Sequence, residues 1–256
     1  MVALNKGTAN VAANVLATAR AMNASGINRG SAGNVSARCG QGFVITPTGM
    51  SYDACIAADM VAVGADGTPA KGARRQPSSE WRFHRDIYAA RPEAGAVVHT
   101  HSPFATALAC QQQGVPAFHY MVARFGGADV RCAAYATFGT QDLSEAILRA
   151  LQARCACLMA HHGMLAFGRD LDHALALAVE LETLCEQYWR VLQLGAPKLL
   201  AGAEMRRVIA KFASYGQQNA DAGERGGRRG TTRRLARSSN QAANEFADFA
   251  PGKRLP

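Results

Sequence analysis

No apolar run in this 256-residue chain reaches the roughly 18–20 residues that a membrane-spanning helix needs, so the sequence offers no candidate span. The opening stretch MVALNKGTANVAANVLATAR has no long apolar core behind a basic start, and no secretory leader is expected. No second cysteine pair stands at zinc-finger spacing from Cys155 and Cys157, which form a C-x-C. The other cysteines (Cys39, Cys55, Cys110, Cys132 and Cys185) bring the total to seven, an odd number scattered through apolar segments. That usage argues against a disulfide framework and for buried free thiols in a reducing cytoplasm. There is no G-x-x-x-x-G-K and no G-x-G-x-x-G behind a strand, which excludes the two common glycine-rich nucleotide cradles. Acidic residues are fewer than basic ones, 19 against 28, for a net charge of +9. Such a surplus suggests nucleic acid until it is located. Residues 217–256 carry eight basic and four acidic residues, which is +4 of the +9. This segment is rich in Gly, Arg, Ser and Asn and shows almost no apolar periodicity, so it reads as a disordered tail behind a domain spanning 1–216. It lacks the interleaved aromatics of a base-stacking arm, and nucleic acid is not the expected partner.

What is present is a chain of helix and strand patterns with hydrophobic content of 48%, enough for a sizeable core. Helices are expected over 8–24, from a cap at Ser78 or Ser79 to about 90, over 102–112 with Pro103 in the first turn, from a Thr140 cap to about 151, over 171–194 and over 203–213. Strands are expected over 35–38, 43–46, 60–63, 96–100, 118–122, 130–133, 155–160 and 164–167. This order fits a layered α/β/α sandwich with a mostly antiparallel central sheet.

The stretch Ala96-Val97-Val98-His99-Thr100-His101 carries the chemistry. Residues i and i+2 of a strand share a face, so His99 and His101 can aim both imidazoles at one point. A second apolar strand ends in His161-His162, offering a third nitrogen from one or the other. Two histidines from one strand, one from another and a nearby carboxylate suit a zinc ion with a position left for water or substrate. Small or hydroxyl-bearing pairs, Gly33-Asn34, Thr48-Gly49 and Ser78-Ser79, sit at turn or helix-start positions. Each alone is an ordinary turn or cap. Beside a metal site they suggest a phosphorylated small molecule held by backbone N–H groups, hydroxyls and a helix N-terminus.

The segments SAGNVSAR, ITPTGM, PSSEWRFHRDIY, AVVHTHS, FHYMVARFGG, YATFGT and AHHGMLAFG, in this order over about residues 8–216, resemble the class II aldolase/adducin family. The resemblance implies one Zn2+ per subunit, with ligands at His99, His101 and His162, leaving His161 as a neighbour. It places Glu80 both at the metal and as the group that moves protons. It implies a phosphate pocket of Gly33, Asn34, Thr48, Gly49, Ser78 and Ser79. Tyr120 becomes the proton donor to the aldehyde oxygen, and Phe138 and the C-terminal Tyr215 complete the site, Tyr215 near a neighbouring subunit of a homotetramer. The implied reaction is reversible cleavage of a ketose 1-phosphate to dihydroxyacetone phosphate and an aldehyde. No lysine falls in the motif loops, Lys71 being the nearest, so no Schiff base is implied. Motif similarity favours L-fuculose 1-phosphate, giving L-lactaldehyde. The alternatives are 5-deoxyribulose or 5-methylthioribulose 1-phosphate, or a pentulose-phosphate epimerase or dehydratase. Glu80 argues against the epimerase, whose members carry Asp there. An adducin-like structural module would lack the intact ligands. His84, four residues after Glu80 on the same side of its helix, is read as a packing residue or one that supports the site from behind the ligands, not as a ligand. His119 and His173 are read as structural or exposed, Tyr135 and Trp189 as packing, and Cys110, Cys132 and Cys185 as core.

Overall fold

The computed structural model describes residues 6–212. Tyr215 and the tail 217–256 lie outside the described residues. The elements in chain order are α1 (Lys6–Ala24), β1 (Asn34–Cys39), β2 (Gly42–Ile45), β3 (Val61–Val63), α2 (Trp81–Ala90), β4 (Ala96–Thr100), α3 (Pro103–Cys110), β5 (Arg131–Ala133), α4 (Gln141–Ala150), β6 (Ala156–Met159), β7 (Gly163–Gly168), α5 (Leu171–Leu194) and α6 (Gly202–Phe212).

The seven strands form one sheet in the order β3-β2-β1-β4-β7-β6-β5. Helices α1, α3 and α5 cover one face, while α2 and α4 cover the other. The expected three-layer α/β arrangement is therefore present, but the sheet is mixed rather than mostly antiparallel in kind. The cause is local. Strands β5 and β6 pair in parallel, Cys132 opposite Leu158, because α4 carries the chain across the sheet between them. The hairpin-linked neighbours, β1 with β2 and β6 with β7, are antiparallel.

Strand β4 is central, flanked by β1 and β7, and all five of its residues are buried. Covered on both faces, it can afford an apolar run instead of alternation. Its register sets Asn34 of β1 opposite His99, and Leu165 of β7 on the other side. Helix α5 buries Ala174, Leu177, Ala178, Leu181, Leu184, Cys185 and Tyr188, a stripe at three- and four-residue spacing, against β4 and β7. Glu182 lies on the same stripe. Its carboxylate accepts from Ser102 Oγ at 2.7 Å and from the backbone N–H groups of Phe104 (2.8 Å) and Ala105 (2.9 Å). It thus caps α3 from a neighbouring helix and pins the turn directly after His101.

Three local expectations are corrected. The segment expected as a strand at 118–122 is a 3-10 helix over Tyr120–Phe125, closed by Gly126 in the left-handed region and entered through His119, whose Nδ1 accepts from the Met121 N–H. Its apolar run is too short to distinguish strand from helix by periodicity. Helix α2 takes Glu80, not a serine, at the position before its first residue, and no side chain caps it there. Cys110, at the C-terminus of α3, is exposed rather than core, whereas Cys185 is buried. The Thr140 cap stands: its Oγ1 accepts from the Leu143 N–H at 3.3 Å.

Candidate active site

His99 and His101 share the face of β4 that looks toward α2, where Phe83 packs edge-on against the His99 ring. The turn between β6 and β7 brings up His162. Ligand nitrogens of His99, His101 and His162 all lie within 4.8 Å of one another, and their ring centroids are 4.9–5.0 Å apart. Two glycines let the flanking turns reach the end of β4. A Cβ on Gly163 would stand 2.4 Å from the Thr100 carbonyl oxygen and 3.1 Å from His101 Cδ2. A Cβ on Gly33, where φ is +71°, would stand 2.4 Å from the His99 carbonyl oxygen. The chain before Gly163 turns through His161 at φ +54°, an uncommon conformation for a residue with a side chain. That conformation turns His162 inward and leaves His161 exposed on the rim. The choice of His162 over His161 as the third nitrogen of the cluster thus has a steric basis.

Gly33→Ala is expected to lower the urea midpoint by more than the left-handed conformation alone costs, about 1–2 kcal/mol. Gly49→Ala supplies the comparison, since Gly49 has φ +66° but nothing within 4 Å of its added Cβ. Equal losses in the two variants would show that the approach of Gly33 to β4 is not tight.

The three imidazoles fit a metal ion by their donor chemistry. His99 Nδ1 lies 2.8 Å from the Met164 carbonyl oxygen, which can only accept, so Nδ1 carries a proton and Nε2 is the nitrogen turned to the cluster. His101 Nε2 lies 3.1 Å from His99 Nε2. Nitrogens at about 2.0–2.1 Å from a tetrahedral ion stand roughly 3.3–3.4 Å apart, close to this spacing. Glu80 closes the group: Oε2 is 3.2 Å from His99 Nε2 and Oε1 is 3.2 Å from His162 Nε2. Oε1 is buried and accepts no hydrogen bond, so it is an orphaned acceptor aimed at the imidazoles, as a cation at their centre would use.

The electrostatics agree. Burial pushes the Glu80 carboxyl up, but the charge and hydrogen bond of His99, the charge of His162 and the Asn34 amide outweigh it and hold the group at about 2. Burial, followed by the charge of His99, lowers both His101 and His162 to about 4 against the opposing pull of Glu80. At neutral pH His101 and His162 present lone pairs and Glu80 a negative charge.

A cleft of about 330 Å³ opens over the cluster. Gly33, Asn34, Thr48, Gly49, Ser78 and Ser79 line it together with Glu80, His101, His162 and Phe138. The loops at 46–49 and 76–79 are zipped to each other: Thr48 N–H donates to the Gln76 carbonyl at 3.1 Å, and Ser78 N–H to the Thr46 carbonyl at 3.0 Å. Those two amides are therefore engaged. The hydroxyls of Thr48, Ser78 and Ser79, with the start of α2, form the polar end of the cleft. His99 lies beneath the floor, fully buried. Tyr120 is not brought to this cleft; it is half-exposed and its ring stacks on Phe212.

One cleft residue, Tyr135, has no role expected from the sequence. Tyr135 is exposed and lines the rim, meeting the His161 ring edge-on at 5.8 Å. The tyrosine sits in the motif YATFGT with Phe138, and that shared loop was its one signal. His84 does not line the cleft; it is fully buried and reaches Glu80 through the Asn34 side chain.

A three-layer α/β domain with an imidazole triad and a carboxylate at the end of its central strand defines a metal-dependent enzyme class. The pattern of the family described as Class II Aldolase and Adducin N-terminal domain matches residues 13–189, and the chain belongs to that family. It is similar to a 5-methylthioribulose-1-phosphate/5-deoxyribulose-1-phosphate aldolase of Rhodospirillum rubrum, 54% identical over 198 residues, covering 77% of this chain and 89% of the relative. It is also similar to the L-fuculose phosphate aldolase of Escherichia coli K12, 42% identical over 207 residues, with 80% and 95% covered. A solved L-fuculose 1-phosphate aldolase superposes with a TM-score of 0.76 at 34% identity, over 79% of this chain and 96% of the other. The chain is a class II aldolase, a carbon–carbon lyase of the kind that uses a divalent metal.

Proposed function

We propose that this aldolase cleaves 5-methylthioribulose 1-phosphate and 5-deoxyribulose 1-phosphate reversibly, giving dihydroxyacetone phosphate and methylthioacetaldehyde or acetaldehyde. The 54% identity to the Rhodospirillum rubrum enzyme of that name carries the reading. It reverses the order expected from the motifs, in which L-fuculose 1-phosphate came first. L-fuculose 1-phosphate, which gives L-lactaldehyde, is the second reading, supported by the 42% relative and the superposed structure.

A Zn2+ ion held by His99, His101 and His162, with Glu80 beside it, would supply Lewis-acid polarisation of the C2 carbonyl. The protein's own groups do the rest. In cleavage the C4 hydroxyl passes its proton to the group that returns it to the aldehyde oxygen in condensation, the C3–C4 bond breaks, and the electron pair left on C3 delocalises into that carbonyl. Glu80 then delivers a proton to C3; in condensation it removes that proton. Contact with the imidazoles keeps Glu80 anionic, while burial favours its protonated form once it turns away from them. The hydroxyls of Thr48, Ser78 and Ser79, the turns at Gly33-Asn34 and Gly49 and the N-terminus of α2 hold the phosphate, fixing C3 over Glu80. Tyr120, on its own chain's surface, takes the role of proton donor to the aldehyde oxygen if a homotetramer brings it to a neighbour's cleft. Phe138 and Tyr215 bound the aldehyde end of such a shared site. The cysteines, all free, suit a cytoplasmic setting.

The test is condensation of dihydroxyacetone phosphate with methylthioacetaldehyde, acetaldehyde and L-lactaldehyde in parallel, with the products identified. Aldehydes that differ by a hydroxyl or a methylthio group are discriminated by about tenfold or more in kcat/KM. Methylthioacetaldehyde and acetaldehyde are expected to lead; a lead for L-lactaldehyde restores the fuculose reading.

A further inference from the structure

A chain of buried polar groups runs from Glu80 away from the cleft. The Asn34 side-chain amide donates from Nδ2 to Glu80 Oε2 at 2.9 Å. Asn34 Oδ1 lies 2.5 Å from His84 Nε2, His84 Nδ1 lies 2.7 Å from Ser36 Oγ, and Ser36 Oγ lies 2.8 Å from Tyr88 Oη. None of the five residues is more than 6% exposed. Asn34 and Ser36 point to the same face of β1, and His84 and Tyr88 are one turn apart on α2, so the chain laces strand to helix.

The direction of every link follows from its end. A carboxylate can only accept, so Asn34 must turn Nδ2 toward Glu80 and Oδ1 toward His84. Oδ1 can only accept, so His84 Nε2 carries a proton. Full burial disfavours the doubly protonated ring, so Nδ1 is bare and accepts from the Ser36 hydroxyl. Ser36 Oγ, having given its proton to that bond, accepts from Tyr88 Oη. The reverse order would press the Asn34 carbonyl oxygen against the Glu80 carboxylate, two acceptors with no proton between them.

We propose that His84, Ser36 and Tyr88 are positioning residues that act through Asn34 to hold the Glu80 carboxylate in its place over the imidazoles. Ser36 donates to the bare Nδ1 of His84 and holds the ring, the His84 Nε2–H holds the Asn34 carbonyl oxygen, and the Asn34 amide holds Glu80. Tyr88 anchors the far end; its carbonyl accepts from Arg38 Nη2 at 3.0 Å, and the Arg38 guanidinium lies over its ring, 4.9 Å from the centroid. The inference rests on the proton-carrying role of Glu80 in the proposed aldol cleavage.

The test has two arms. In the first, histidine-15N NMR of the metal-free protein reads the His84 tautomer. The wild type is expected to hold the proton on Nε2 alone, and Ser36→Ala to keep it there while the resonance of the bare Nδ1 moves as its hydrogen bond is lost. A wild-type proton on Nδ1, or an Nδ1 resonance unmoved by Ser36→Ala, overturns the proposal. In the second arm, metal-loaded Ser36→Ala is expected to lose roughly ten- to hundredfold in kcat, with KM within about threefold and metal content unchanged, because a shift in a reacting group costs rate on this scale. Ser36→Thr, which keeps the hydroxyl, restores the rate, and Tyr88→Phe, which leaves Ser36 able to donate, loses less than Ser36→Ala. An unchanged kcat in Ser36→Ala, or a Ser36→Thr variant that is as slow as Ser36→Ala, overturns the proposal. If wild-type protein cleaves none of the sugar phosphates, the functional reading fails, while the tautomer measurement still decides the hydrogen-bond chain.

Discussion

Glu80→Gln is expected to keep its metal and lose about 10²–10⁴-fold in kcat, the range that general acid–base catalysis supplies. The substitution keeps the shape of the side chain and removes only its capacity to carry a proton to and from carbon. Its Oε2 position can stay a carbonyl oxygen and accept the Asn34 amide proton, now at 2.9 Å, so the side chain need not turn away. At the Oε1 position the new N–H2 would face His162 Nε2, 3.2 Å away. That contact becomes neutral, but three imidazole nitrogens remain, enough for a catalytic site that leaves one position open. Metal content by elemental analysis and steady-state rates in both directions separate the possibilities. Turnover within tenfold of the wild type would rule out Glu80 as the proton carrier. Loss of the metal would instead make Glu80 chiefly a ligand.

The site was legible in the sequence where its groups follow one another along a single element, and illegible where they meet across elements. His99 and His101 declare themselves because strand geometry gives i and i+2 a common face and the apolar run Ala96–Val98 identifies the strand. The spacing of the loops 33–34, 48–49 and 78–79 said nothing of their convergence; the pairings Thr48 with Gln76 and Ser78 with Thr46 bring the last two together. The spacing of His84 from Glu80 puts both on one helix side and leaves packing and support of the site as equal readings. The partners of His84, Asn34 and Ser36, lie about fifty residues earlier in the chain, and only the antiparallel pairing of β1 with β4 brings them beneath α2. The sheet departed from the expected kind for a similar reason. The sequence distinguishes a strand from a helix by period, but whether β5 and β6 run parallel depends on α4 crossing between them. Tyr120 was not placed by its motif, which is intact although the side chain lies on the surface, away from the cleft.

Removing the metal is expected to abolish cleavage altogether, and zinc to restore it where magnesium does not. The donors are three imidazole nitrogens, which suit zinc; magnesium prefers oxygen ligands and keeps its waters. The clean genetic counterpart is His162→Ala rather than His99→Ala. His99 is fully buried, packs edge-on against Phe83 and donates to the Met164 carbonyl, so its loss would open a cavity and strand a buried acceptor, costs of a few kcal/mol that confuse a metal effect with unfolding. His162 sits at the turn beside the cleft, with its side chain 11% exposed, and its removal leaves β4 intact. Dialysed His162→Ala is expected to hold no stoichiometric zinc and to melt where the chelated wild type melts. The zinc-loaded wild type is expected to melt higher, because a ligand at a thousandfold over its Kd stabilises the folded state by about 4 kcal/mol. Calorimetry of the three samples reads this directly. If His162→Ala retains one zinc per chain and the loaded protein's midpoint, the third ligand lies elsewhere. His161 would then be the residue to test, and the left-handed turn that points it outward would have to reverse.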